Sequence, residues 1–214
     1  MKRVIRAAAL LAALPVIAGA QVTISTPGVT LIAPWGGMLG SPTYGQTFRA
    51  PDAANTRLDS FTFYLDEGMT GDMFGAVYQW GDMGTVGSAL FTSALQAIVV
   101  GANTVYTGGL ALDPALQYVA FFSTEGIGND SWTPSAWWRG PDSYSDGQFV
   151  YTNDPLATNF WNPDTQDLQF DMRFNAAVVA TPEPAGVLLI GTGLLGMWGI
   201  ARRRRVPVRT DSPR

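Results

Sequence analysis

The central stretch of the chain, Gln21 to Thr181, predicts an all-β fold: an antiparallel β-sandwich of jelly-roll type. Three observations predict it. Apolar and polar residues alternate with a period of two in one segment after another, which turns one face of an extended strand inward. Turn-forming pairs such as Glu67-Gly68, Gly71-Asp72, Gly81-Asp82, Gly108-Gly109, Asp113-Pro114, Asn129-Asp130 and Asp146-Gly147 punctuate those segments. No segment keeps the 3.6-residue apolar period of a packed helix over about twelve residues, so helical crossovers are not expected.

The elements follow in chain order. Residues 1–20 read as a signal peptide. Lys2, Arg3 and Arg6 precede an apolar run from Ala7 to Ile17, too short to span a bilayer, and Ala18-Gly19-Ala20 supplies the small residues of a cleavage site before Gln21. The sandwich domain, residues 21–180, comes next. Its cleanest strand is Leu168 to Asn175, where Leu168, Phe170, Met172 and Phe174 alternate with polar neighbours. Asp59 to Asp66 sets Phe61, Phe63 and Leu65 against Ser60, Thr62 and Tyr64, and Met73 to Trp80 puts Phe74, Ala76, Tyr78 and Trp80 on one face. Gln117 to Ser123 is apolar on both faces and is expected to be covered on both. Further strands are expected at Val22–Ser25, Tyr44–Phe48, Ala97–Val100, Thr104–Tyr106, Ala136–Trp138 and Gln148–Tyr151.

The last segment changes character. Thr181-Pro182-Glu183-Pro184 is followed by an uncharged run, residues 185–201, and then by Arg202, Arg203, Arg204 and Arg205. Proline fixes φ and lacks a donor, so Pro182-Glu183-Pro184 stays extended and outside the helix that follows. The run is long enough, at ~1.5 Å per residue, to form a short transmembrane helix. Four guanidinium groups resist translocation, which would leave them in the cytoplasm and the β domain outside, with residues 206–214 as a cytoplasmic tail. This ordered trio resembles the sorting signal of PEP-CTERM proteins of exopolysaccharide-producing bacteria. The resemblance implies recognition and processing by an exosortase, a membrane-embedded protease or transpeptidase, and delivery to the cell surface or extracellular matrix. The segments Gln46-Thr47-Phe48, Leu58-Asp59-Ser60-Phe61, Val77-Tyr78-Gln79-Trp80, Ala89-Leu90-Phe91 and Gln117-Tyr118-Val119-Ala120-Phe121 also resemble a recurrent jelly-roll-like ectodomain of such proteins.

Composition narrows the function. The whole chain carries a formal charge of −4, but nine of its thirteen Lys and Arg residues lie in the two terminal segments. The domain itself keeps four arginines and fifteen acids, a net charge of −11, and it has no lysine. Such a surface repels nucleic acid. With neither histidine nor cysteine in the chain, Ser-His-Asp and Cys-His catalysis and ordinary zinc sites are excluded. An enzymatic role is not expected. The alternative is a polysaccharide-active glycoside hydrolase or lyase using paired carboxylates, for which Glu67 and Glu125 are the only glutamates of the domain.

Two further sites invite function. Trp132, Trp137, Trp138 and Trp161 fall in a stretch dense in Gly, Pro, Asn and Asp, where loop indoles could stack on sugar rings; the competing reading is sandwich core or loop packing. No catalytic or metal-ligating set is assigned and no cofactor is expected. Oxygen-rich loops at Asn129-Asp130, Asp142–Asp146, Asn153-Asp154 and Asp164–Asp167 are compatible with a structural calcium ion, though none matches a defined calcium-loop motif.

Overall fold

The period-two segments do pair as strands. A computed structural model describes residues 21–36, 40–66, 70–127 and 135–176, which form fourteen strands and one turn of 3-10 helix. The strands are β1 (Val22–Ser25), β2 (Thr30–Trp35), β3 (Thr43–Phe48), β4 (Arg57–Leu65), β5 (Asp72–Gly81), β6 (Gly84–Thr92) and β7 (Gln96–Ala97). They continue with β8 (Gly101–Ala111), β9 (Gln117–Ser123), β10 (Ser135–Gly140), β11 (Phe149–Thr152), β12 (Asn162–Pro163), β13 (Asp167–Leu168) and β14 (Phe170–Asn175). The chain divides into residues 1–177 and 178–214, and the second unit lies wholly outside the described residues. So do the expected signal peptide and the span at 185–201. Among the described residues no helix is long and apolar enough to cross a membrane.

Two antiparallel sheets result, consistent with a jelly-roll-like sandwich. One runs β1-β14-β4-β10-β13, with β2 joined to β10 and β8 to β4; the other runs β12-β11-β3-β9-β5-β6, with β7 joined to β5. The alternation fixes which side chains meet between them. Phe61, Phe63 and Leu65 of β4, with Phe170, Met172 and Phe174 of β14, face Tyr44, Phe48, Tyr118, Ala120 and Phe122 of the opposite sheet in one core. Burying each large apolar side chain contributes about 1.5–3 kcal/mol.

As expected for the doubly apolar run, β9 is covered on both sides. Val119 and Phe121 point away from the main core into a second cluster with Ala76, Trp80, Val150 and Trp161. The common face of Phe74, Ala76, Tyr78 and Trp80 is therefore the outer face of this sheet, and the segment 153–163 folds over it.

Two expectations are corrected and one strand is added. Gly108-Gly109 is not a turn but part of β8; both residues have positive φ (70° and 79°), and the ladder slips opposite Leu58 and Ser60. The expected strand Ala97–Val100 shortens to β7, ending at Ala97, and β8 begins after it at Gly101. β2, which contains Pro34, is not among the expected strands. It pairs β10 from Leu31 to Trp138 and Ile32 to Trp137.

Candidate functional site

The four candidate tryptophans separate. Trp137 sits on the inward face of β10 and is fully buried, with ring centroids 5.0 Å from Trp35, 5.4 Å from Tyr44, 5.2 Å from Phe63 and 5.8 Å from Phe122. Trp161 is buried on the outer face of the second sheet, 5.6 Å from Trp80 and 5.5 Å from Phe121. Neither can offer an indole face to a sugar, which corrects the platform reading for both: period two sends Trp137 inward, and a loop carries Trp161 onto an apolar sheet face. Trp138, opposite in parity, is half-buried. Trp132 lies outside the described residues, as do Glu67, Asn129-Asp130, Pro182, Glu183, Pro184 and Arg202 to Arg205.

A polar clamp holds Trp161 down. Asn159 adopts a left-handed conformation (φ 51°) at the end of the 3-10 turn Leu156–Thr158. Its Oδ1 accepts from the backbone N–H of Thr85 (2.7 Å), the Thr85 hydroxyl (2.7 Å) and the Trp161 indole (3.2 Å), while its Nδ2 donates to the Thr85 carbonyl (2.9 Å). Gly84 is needed beside it, since a Cβ there would come within 2.7 Å of Asn159 Oδ1. Glu125 closes the other end of the segment, accepting from the backbone N–H of Leu156 at 2.8 Å. That carboxylate holds the loop. Replacing Asn159 by alanine is expected to cost about 2 kcal/mol and to raise acrylamide quenching of tryptophan fluorescence as Trp161 lifts off; unchanged stability and quenching would contradict the clamp.

Asp167 forms a buried network that the sequence did not reveal. It is fully buried; Oδ1 accepts from Gln46 Nε2 (2.7 Å), and Oδ2 accepts from the backbone N–H groups of Ser143 (2.9 Å) and Tyr144 (2.8 Å). Gln46 Oε1 in turn accepts from the Leu168 N–H at 3.0 Å. Burial pushes the Asp167 carboxyl above the usual carboxylate range, against the lowering effect of these donors. The partners are spread over about 120 positions of sequence, so no local motif announces them.

With both carboxylate oxygens already accepting hydrogen bonds, Asp167 is a structural anchor, and the calcium reading of Asp164–Asp167 loses its most buried ligand. Among the described residues no three Asp or Glu side chains gather as a metal-ligating cluster. On the outer face of the first sheet Asp171 accepts from both Ser25 and Tyr64. That bond, followed by burial, pushes the Tyr64 hydroxyl up to about 12.

Among the clefts large enough for a small ligand, two bring charged groups beside aromatic rings. The first, about 510 Å³, is lined by Ile32, Pro34, Ser41, Tyr44, Tyr151, Asn153 and Asp164. Tyr44 and Tyr151 stand edge to face at 6.1 Å. Burial pushes the Tyr44 hydroxyl up to about 12, and it donates to the Pro34 carbonyl at 3.0 Å. Ser41 donates to Asn153 Oδ1, and Arg139 pairs with Asp164 at 3.5 Å. The cleft therefore joins one half-buried phenol ring to an amide, a carboxylate and a hydroxyl at its rim. The second, about 690 Å³, is lined by Arg49, Trp80, Asp82, Gln117, Asp146 and Gln148. It brings two exposed carboxylates, Asp82 and Asp146, to one opening.

The comparisons with known proteins follow the same division. Residues 180–205 match the model of the PEP-CTERM protein-sorting motif, so the chain carries the signal of an exosortase-sorted, exported surface protein. No curated protein matches the chain. One solved structure is similar: the cysteine protease and lectin-like domains of Cwp84, a surface layer associated protein of Clostridium difficile, at 12% identity and a TM-score of 0.43. The match covers 63% of this chain and 32% of that one, so this chain spans about a third of its length. A likeness this slight carries no argument about function.

Proposed function

We propose that this is an exported bacterial surface or matrix protein whose β-sandwich is a non-catalytic structural or adhesive module. In this reading the signal peptide is removed before Gln21, the helix 185–201 holds the precursor in the inner membrane, and Arg202–Arg205 stay on the cytoplasmic side. An exosortase then cuts near Pro182–Pro184. The observation that carries this is the sorting motif at 180–205, which begins soon after the last strand of the sandwich ends at Asn175. Replacing Pro182 and Pro184 by alanine is expected to leave the full-length chain in the inner-membrane fraction. Wild-type levels of the variant at the surface would contradict the motif's role.

The finer reading is carbohydrate binding, with exopolysaccharide as the ligand class. The Tyr44–Tyr151 cleft supports it better than the tryptophans do, because a neutral sugar needs an aromatic face flanked by hydroxyl-binding groups, and Tyr151, Asn153 and Asp164 provide both. Tyr151→Ala and Asp164→Asn are each expected to abolish retention on a polysaccharide column while the circular dichroism spectrum stays unchanged. Full retention by both variants would remove the cleft from the account. A glycan-shortening enzyme is favoured by one observation only, the carboxylates of Asp82 and Asp146 lining one cleft; chain shortening lost in the Asp82→Asn, Asp146→Asn double variant would establish it.

A further inference from the structure

From Met83 to Leu112 the sequence has no charged residue, thirty positions in succession within a domain of net charge −11. Those residues build β6, β7 and β8, and β6 touches β8 at one place. Of the eleven large apolar side chains exposed among the described residues, seven lie in this stretch, including Leu90, Leu95, Val99, Val100 and Tyr106. Val100 and Tyr106 are each 71% exposed.

The strand edges differ in a way that points the same direction. A sheet edge offers unpaired N–H and C=O groups, and proteins ordinarily blunt it by shortness, proline, charge or a bulge. β1 has four residues; β12 and β13 have two each, and Pro163 lies in β12. β2 contains Pro34, and the ladder of β6 slips between Val77 and Gln79 of its neighbour. β8 differs. From Gly101 to Tyr106 it pairs in unbroken register with Leu65 to Ser60 of β4, and among the described residues it has no other strand partner. The turn that leads into it is also fixed: Asn103 Oδ1 accepts from the Val99 N–H (3.0 Å), and its Nδ2 donates to the carbonyls of Val99 (2.7 Å) and Gly101 (3.1 Å).

We propose that β8 pairs antiparallel with β8 of a second copy of this chain, joining two sandwiches edge to edge about a two-fold axis. An open backbone ladder selects an extended strand as its partner. Charge selects the second copy. A basic partner would dock on the acidic faces and not on an uncharged strip, whereas two copies of a −11 domain repel each other everywhere except along such a strip. One neutral strand then serves both sides of a symmetric contact. Salt should strengthen the pair, because it screens the remaining repulsion.

The test uses the full chain in mild detergent, with its mass read by sedimentation and native mass spectrometry. Ala102→Lys with Tyr106→Lys charges two exposed positions of β8. Gln21→Lys with Thr23→Lys adds the same charge at the β1 edge of the same sheet. Wild type and the β1 variant are expected to be dimers with a dissociation constant in the ~micromolar range, and the β8 variant to bind at least about tenfold more weakly. A monomeric wild type, a β8 variant as dimeric as wild type, or equal loss in both variants would overturn the proposal.

Discussion

Truncating Trp137 to alanine is expected to lower the stability of the sandwich by about 4 kcal/mol, a large share of the 5–15 kcal/mol typical of a domain. The indole is fully buried and touches four aromatic rings drawn from both sheets, so its removal leaves a cavity at the junction of β10, β4 and β3. Trp35, deprived of its edge-to-face partner, lies against that cavity. Trp138→Ala, one position along and half-buried on the opposite face, should cost about 1 kcal/mol or less. Urea denaturation of the two variants separates these outcomes. Equal, small losses would mean that Trp137 is not the core residue its burial makes it, and would reopen a role for it at the surface.

Asp167 carries the second large effect. Alanine there strips Gln46 Nε2 and the Ser143 and Tyr144 N–H groups of their common acceptor, one buried donor and two part-buried ones at once. The expected loss is about 3 kcal/mol or more, since each orphaned donor costs about 1–3 kcal/mol and relaxation recovers part of that. The same residue makes stability depend on pH with an unusual sign. Burial holds its folded-state carboxyl above the unfolded value, so the folded protein takes up the proton first as pH falls. The stability linked to this group is fully present below the unfolded carboxylate range and is lost as pH rises through the folded value. Relative to an Asp167→Asn variant, which has no such titration, wild type should therefore gain stability between neutral pH and about pH 4. A gap that narrows over that interval would show that the hydrogen bonds, not burial, dominate this carboxyl.

Much of the fold was legible because the alternation is clean where one sheet face is buried. Phe61, Phe63 and Leu65 face the core, as their spacing requires, and the double cover of Gln117–Ser123 follows from apolar residues at successive positions. The failures have a common cause. Gly108-Gly109 and the Gly/Asn/Asp-rich surroundings of Trp161 are local turn signals that tertiary pairing overrides, and β2 forms although it contains Pro34. Glycine with positive φ serves a bulge as well as a turn, and proline is tolerated in a strand at a sheet edge. The candidate sugar site moved for the same reason. Composition placed the tryptophans in loops, whereas parity along β10 buries Trp137, and Asn159 pins Trp161 to a sheet face. The Tyr44–Tyr151 cleft joins residues from β3 and β11, which become neighbours only when those strands pair. The uncharged run from Met83 to Leu112 is plain in the sequence, but its meaning depends on where β8 ends up.

The sorting signal stands apart, because its recognition requires no fold: a motif, an apolar run and a basic stop are sufficient. Mass spectrometry of the C terminus of the protein recovered from the surface of its own cells tests that claim most directly. The expected terminus lies at or near Pro182–Pro184, with the apolar run and the arginines gone. A surface protein still ending in Arg202–Arg205 and the residues beyond would contradict it.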